Sequence, residues 1–227
     1  MKYDFDFSAP LAYWPDFVAA AGTTLGLSLA STVFGFLLGV LCALASTGRS
    51  AWLARLSSVY VETIRNTPLL VQIFIVYFGL ASIGLKVDAF AAATAALVIN
   101  VGAYTSEIVR AGIESIPKGQ LEAAECLGLS RAQVLTHVVL PPAIERVYPA
   151  LTSQYVLLML ASSITSQISA EELTAVANRI QSDTFRSVET YLIVAAAYLV
   201  LSLVMRLGFW CASYIAFPRR RRLGTPL

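Results

Sequence analysis

The sequence predicts an all-α integral membrane protein of five transmembrane helices, with one long polar loop on the inner side of the membrane. Of its 227 residues 57% are hydrophobic and only 13% are charged, and the mean hydropathy is +0.71; an ordinary soluble domain carries roughly 25% charged residues. The apolar residues gather into stretches that exclude charge and reach about 20 residues, the length a helix needs to cross a hydrocarbon core about 30 Å thick. Between the third and fourth stretches lies a segment, residues 110–146, that is too charged to enter lipid. One membrane domain occupies residues 1–227 and leaves no room for a separate catalytic domain.

The N-terminal segment has Lys2 as its only base, with Asp4, Asp6 and Asp16 among aromatics. It lacks the short apolar core and small-residue cleavage site of a secretory signal. Phe5, Phe7, Tyr13, Trp14 and Phe17 read instead as an interfacial aromatic cluster. The first span is expected at 18–46, where the spacings Gly22-x-x-x-Gly26 and Gly35-x-x-x-Gly39 suit close helix approach, most simply within the chain. The second is expected at 57–82 and should bend at Pro68, which lacks a donor and clashes with the preceding turn. The third covers 90–109, with Asn100 as its deepest strongly polar residue; the fourth lies at 147–168 and the fifth at 189–217. Arg206 interrupts the last span near its inner end, from where its side chain can snorkel to the headgroups.

Lysine and arginine placement sets the orientation. With the C-terminus in the cytoplasm, the inside holds Arg49, Arg55, Arg110, Lys118, Arg131, Arg146, Arg206 and Arg219 to Arg222. The outside then keeps Lys2, Lys86, Arg179 and Arg186, while Arg65 stays within the second span. That bias puts the N-terminus outside and 110–146 in the cytoplasm. The arginine run from Arg219 to Arg222 reads as an anchor to anionic lipid. A net charge of +2 offers no footprint for nucleic acid.

The inner loop carries the strongest local signals. Pro117 suits a first helical position, Glu122-Ala123-Ala124-Glu125 favours helix, and Gly128 can take the left-handed conformation that ends one. Ser130 followed by Gln133 is a capping box for a second helix, which Pro141-Pro142 should stop. The expected result is a short helix, a sharp turn and another helix at the membrane surface.

Glu122-Ala123-Ala124, then Gly128 after three residues, then Val138-x-Leu140-Pro141 after nine more, resembles the cytoplasmic loop motif of ATP-binding-cassette importer permeases, with Val138 in place of the usual isoleucine. Arg65-Asn66-Thr67-Pro68-Leu69-Leu70-Val71-Gln72, Gly102-Ala103-Tyr104-x-Ser106-Glu107-Ile108-Val109-Arg110-Ala111-Gly112-Ile113 and Gly119-Gln120-x-Glu122 are similar to the polar amino acid branch of that family, the histidine, glutamate, glutamine, arginine and opine type. The resemblance runs from about Gly22 to Leu201 and implies a type I importer permease fold in a bacterial inner membrane. It further implies a coupling helix at Glu122, Ala123, Ala124, Gly128 and Leu129, seated on a separate ATPase subunit, a second permease subunit alike or related, and an external substrate-binding protein. ATP and Mg would then be held by the partner ATPase, and this chain would bind no cofactor. In keeping with that, the sequence contains no G-x-x-x-x-G-K-[ST] phosphate loop.

Polar residues at membrane depth are the candidates for the substrate pathway: Gln72, Asn100, Ser162, Ser163 and Thr165. Their hydroxyls and amides can hydrogen-bond a carboxylate and an ammonium without fixed charge. The family commonly places a lysine and an acidic or small polar residue where this chain has Leu160 and Ala161, so the resemblance carries no charged contact to that point. Residues 169–188 read as an external amphipathic helix, capped by Ser169 with Glu172, burying Leu173, Val176, Ala177 and Ile180 and resembling the outer gate where a binding protein docks. Glu62 with Arg65, and Glu107 with Arg110, are spaced for ion pairs within one helix. An ion-coupled secondary transporter or channel is the alternative, but it would want a carboxylate nearer mid-membrane. A membrane enzyme would need a nucleophile with its base or a metal cluster; Cys42, Cys126, Cys211 and His137 lack the spacing for either.

Overall fold

The computed structural model describes residues 4–48 and 50–217, so Lys2, Arg49 and the Arg219 to Arg222 run lie outside the described residues. A four-residue helix α1, Ser8–Leu11, leads into the long α2, Trp14–Thr47. Next come α3, Ala51–Arg65, and α4, Leu69–Ser82, then α5, Ala89–Glu114. Helix α6, Lys118–Cys126, is followed by α7, Arg131–Gln133, a π-helical turn at Val134–Val139 and α8, Leu140–Ala161. A 3-10 segment, Ser162–Ile168, ends that run; α9, Leu173–Thr184, and α10, Ser187–Ala216, complete the fold. Four continuous helical runs are long and apolar enough to cross a membrane, and the bent pair α3 and α4, taken as one span, makes a fifth.

The second expected helix is two. Between α3 and α4 the axis turns by 109°, and Pro68 is not inside a bent helix but immediately precedes α4 in extended conformation. Proline disfavours helical backbone at the residue before it, which ends α3, and it can begin a helix because no donor is needed there. Gln72 closes the break. Its Nε2 donates to the carbonyls of Ile64 at 2.8 Å, whose helical donor would have been the N–H that Pro68 lacks, and of Thr67 at 3.0 Å.

Prolines 141 and 142 do not stop the loop helix either. The chain runs helically from Arg131 to Ile168, and the π-helical turn lies directly before the prolines. Residues in the first turn of a helix need no donor of their own; at the start of the π turn Thr136 Oγ1 bonds Ala132 O at 2.7 Å, and His137 Nδ1 lies 3.2 Å from Gln133 O.

Helix α2 packs most extensively on α5, through Gly35 and Gly39. A β-carbon on Gly39 would stand 2.5 Å from Thr105 Cβ and 2.8 Å from Gly102 O, and one on Gly35 would collide with Val101. No atom lies within 4 Å of the corresponding positions at Gly22 and Gly26, so of the two small-residue spacings only Gly35-x-x-x-Gly39 forms a seam among the described residues. Leu27, Ile73, Leu97, Val101, Leu151 and Leu158 fill the centre between α2, α4, α5 and α8. A second cluster, Val156, Met159, Leu173, Ala177, Ile180 and Leu201, seats α9 between α2, α8 and α10.

Candidate functional site

At one end of the bundle the chain leaves α5, forms α6 and α7, and returns into α8. Arg146 closes the base of this excursion by donating to both the carbonyl and the Oγ of Ser115, each at 2.7 Å. Nearby, Arg110 pairs with Glu107 and with Glu114, the latter at 2.6 Å. The expected Glu62 and Arg65 pair is replaced by a cross-helix one: Arg65 lies 3.9 Å from Glu107 and 5.6 Å from the centre of the Tyr104 ring. The break after Arg65 points that side chain at α5 and away from its own helix.

Helix α6 begins one residue later than Pro117, which sits in extended conformation at its N-cap. It ends in a Schellman turn. Gly128 has φ +72°, its N–H bonds Glu125 O at 2.9 Å, and Leu129 N–H reaches back to Ala124 O at 3.2 Å. The capping box at Ser130 makes both of its bonds, Ser130 N to Gln133 Oε1 at 2.8 Å and Gln133 N to Ser130 Oγ at 3.4 Å.

The helix has two unlike faces. Ala124 is buried, and Leu121 packs with Ile116, Val134, Leu135, Val139 and Ala143 against the root of α8. Glu122, Ala123, Cys126 and Gly128 are exposed, and Leu127 is 78% exposed. Of the five residues the sequence nominated here, Glu122, Ala123 and Gly128 lie outward, while Ala124 and the half-buried Leu129 anchor the loop from within. Leu127 escaped the sequence reading. Its signal was position: it follows Ala123 by one helical turn and immediately precedes the left-handed glycine, which holds it at the tip.

Gln72 and Asn100 meet in one buried network, Asn100 Nδ2 donating to Gln72 Oε1 at 2.9 Å. Tyr60 adds a bond to Ile99 O at 2.6 Å one residue away. Ser162, Ser163 and Thr165 lie on the 3-10 segment, which packs against α4, α5 and α9. Each hydroxyl bonds a carbonyl three residues earlier, at 2.6, 2.8 and 2.7 Å. Ser162 and Thr165 are fully buried, whereas Ser163 is partly open, on a side it shares with exposed Leu160 and Gln167. The segment ends at Ser169 with φ +62°, so Ser169 does not cap α9. Glu172 does, accepting from Ala175 N at 2.9 Å. Among the described residues no group of three or more His, Cys, Asp or Glu could hold a metal ion.

Residues 35–209 match the family model described as the binding-protein-dependent transport system inner membrane component. The chain belongs to this family. It is thus a multi-pass inner-membrane permease subunit of an ATP-binding-cassette importer; ATP hydrolysis lies with a separate subunit, and the permease is not itself an enzyme. It is 35% identical over 224 residues to the octopine transport system permease protein of Rhizobium radiobacter, covering 93% of this chain and 91% of that one. With the glutamine transport system permease protein of Escherichia coli strain K12 it shares 37% identity over 204 residues, covering 88% and 93%. A crystal structure of an amino acid ABC transporter with histidines matches the permease with TM-score 0.86 and 37% identity, covering 93% of this chain and 99% of that one. The inward-facing MetNI methionine ABC transporter shares the fold, with TM-score 0.75 at 20% identity over 90% of this chain and 98% of that one. The broken α3 and α4 pair and the α6 excursion are therefore features of a type I importer permease.

Proposed function

We propose that this permease forms half of the translocation path of an ATP-driven importer for a polar amino acid, and that α6 with its turn receives the motion of a separate ATPase. The observation that carries this reading is the outward face of α6. Leu127 stands as an exposed apolar tip beside a glycine that adds no bulk, while Ala124 and Leu121 tie the helix to the root of α8. A push on Leu127 and Ala123 is therefore delivered to α8, which continues without interruption to the 3-10 segment bearing Ser162, Ser163 and Thr165. ATP and Mg belong to the partner in this scheme.

Charge supports the orientation. Arg55, Arg110, Lys118, Arg131 and Arg146 cluster at the α6 end, which faces the cytoplasm; α9 and the N-terminus face outside. A second permease, alike or related, completes the path. An external binding protein delivers substrate at α9. The named relatives transport glutamine and octopine, both polar amino acid derivatives, which suits a path whose nominated contacts are hydroxyls and amides. Ser163 is the foremost of these contacts, with Gln72, Asn100, Ser162 and Thr165 framing it.

The test is co-purification with a co-expressed ATPase, followed by uptake of radiolabelled glutamine, and of other polar amino acids in parallel, into proteoliposomes. Uptake should require ATP on the α6 side. Gly128→Trp should leave membrane insertion intact and abolish ATPase association. Uptake by the permease alone, driven by an ion gradient, would overturn the proposal.

A further inference from the structure

Between α8 and α10 lies a cleft of about 390 Å³ that the transport reading does not use. The polar residues that line it are Arg206, the hydroxyl-bearing Tyr148, Thr152, Ser153 and Ser213, and Trp210 with its indole N–H. Among the described residues no carboxylate lines it. Arg206 itself makes no hydrogen bond or ion pair with any described residue. Tyr148 already donates to Phe209 O, Thr152 to Pro149 O and Ser213 to Trp210 O, which leaves Arg206, Ser153 and the Trp210 indole N–H without a hydrogen-bond partner among the described residues. An unpaired arginine in a membrane span is costly unless something compensates its charge.

The lining selects the compensating group. The cleft supplies fixed charge of one sign only, the Arg206 guanidinium, and so favours a ligand with net negative charge over a free amino acid, which is a neutral zwitterion. Its ligand is an anion without a balancing cation of its own.

Position narrows the source. Arg206 stands roughly 15 Å short of the end of α10, at about 1.5 Å per residue. Between it and that end lie Trp210 and Tyr214, exposed and stacked with ring centres 6.0 Å apart, and Tyr148 meets Phe217 edge-on at 5.1 Å. Such aromatic belts mark the headgroup level of a bilayer. In the other direction Leu203, Val204, Leu199 and Val200 continue along α10, each more than half exposed, as an apolar wall on which acyl chains can lie.

We propose that the α8/α10 cleft binds an anionic phospholipid of the cytoplasmic leaflet, its phosphate on Arg206 and its polar headgroup against Ser153. The leaflet, though not the site, rests on the orientation given above. Basic pockets between transmembrane helices on the inner side hold anionic headgroups in this way.

The assembled importer, purified with its native lipid and washed in neutral detergent, should retain phosphatidylglycerol in excess of phosphatidylethanolamine when co-purified lipid is quantified by mass spectrometry. Arg206→Met should lower that excess by about fivefold. Arg206→Lys, which keeps the charge, should restore most of it, and both variants should elute as the wild-type assembly. Excess phosphatidylglycerol unchanged in Arg206→Met overturns the site. So does a lipid complement unchanged by the substitution while the KM for amino acid uptake rises, which would make Arg206 a pathway residue. So does an assembly that falls apart in Arg206→Met and is not rescued by lysine, which would place the cleft against another subunit. Labelling of Cys211 by a membrane-impermeant maleimide, with the other cysteines replaced, tests the orientation separately: reaction from the outside moves the site to the other leaflet and overturns the stated leaflet alone.

Discussion

Along the seam of α2 with α5, glycine removes a side chain so that two backbones can meet; around α6, glycine leaves empty space. A β-carbon on Gly35 or Gly39 would strike Val101 or Thr105, whereas nothing stands within 4 Å of the same position on Gly119 or Gly128. In a bilayer, helices gain little by hiding apolar surface from lipid, so close packing must hold the bundle together. The seam is thus where the fold resists change, and the α6 turn is where it offers a surface. Residue type alone does not separate the two uses, since Gly22 and Gly26 have the same spacing as Gly35 and Gly39 and meet no neighbour in this chain.

The largest expected effect comes from breaking the seam. Gly39→Leu forces α2 away from Thr105 and the Gly102 carbonyl, which lie at backbone distance and cannot move aside cheaply. Overpacking of this kind costs about 1–3 kcal/mol or more, and the loss should appear as a sharp fall in folded, detergent-extractable protein. Gly22→Leu, on the same helix, should leave that yield unchanged.

Leu127→Asp probes the other region. It replaces the exposed tip of the turn without touching Leu121, Ala124 or Val139, so the bundle should fold and insert as before. Association with the ATPase should weaken by about 2 kcal/mol, the scale of a principal interface residue, read from a binding titration in nanodiscs. Unaltered affinity would move the contact away from Leu127.

Between seam and turn lies the break after Arg65, where the effect should be intermediate. Gln72→Leu strands the carbonyl of Thr67 and the amide of Asn100, and leaves Ile64 O with only the longer bonds from Thr67, 3.3 Å from Oγ1 and 3.5 Å from N. A buried polar group left without its partner costs about 1–3 kcal/mol. Equilibrium unfolding in mixed micelles should therefore show a loss of about 2 kcal/mol, and spin labels on α3 and α4 should report a wider spread of distances as the angle between them loosens.

The same contrast explains what could be read from the chain. Charge-free stretches announced the spans because exclusion of charge is a property of single residues in lipid. The Schellman glycine and the capping box at Ser130 were legible because their hydrogen bonds close within a few residues. Pro68, Pro141 and Pro142 were misjudged because the outcome depends on who takes the orphaned carbonyls. At Pro68 that is Gln72, four residues on, and ahead of Pro141 the helix shifts to a π turn, a change of pitch that proline spacing does not announce. Arg65 pairs with Glu107 on another helix, a partner no local spacing announces. The site divides likewise: Glu122, Ala123 and Gly128 were nominated by motif, while the exposure of Leu127 and the burial of Ala124 follow only from how α6 lies on α8.

The smallest effect tests how α9 is held to the N-terminal half of α2. Glu172 is fully buried, its carboxylate accepting from Ala175 N at 2.9 Å and from the Tyr198 hydroxyl at 2.6 Å, while Leu173 N donates to Thr24 Oγ1 at 3.1 Å. Thr174 adds a hydroxyl 3.0 Å from that of Tyr198. These neighbours are neutral, so burial is the main influence and pushes the carboxyl above the ordinary glutamate range, its hydrogen bonds opposing in part. A folded-state pKa above the unfolded one means that the native state binds more protons. Its stabilising contribution is then full below the unfolded pKa and declines as pH rises through the folded one. Amide hydrogen exchange across Leu173–Thr184, corrected for the intrinsic rate, should therefore show protection falling gradually over the pH interval above the ordinary glutamate range. Glu172→Gln keeps an acceptor for Ala175 N and removes the titration, so its protection should be level over that interval. A wild-type profile as flat as the variant's would mean that the carboxyl ionises at no cost, and that α9 is held by Leu173, Ala177 and Ile180 without help from the Glu172 network.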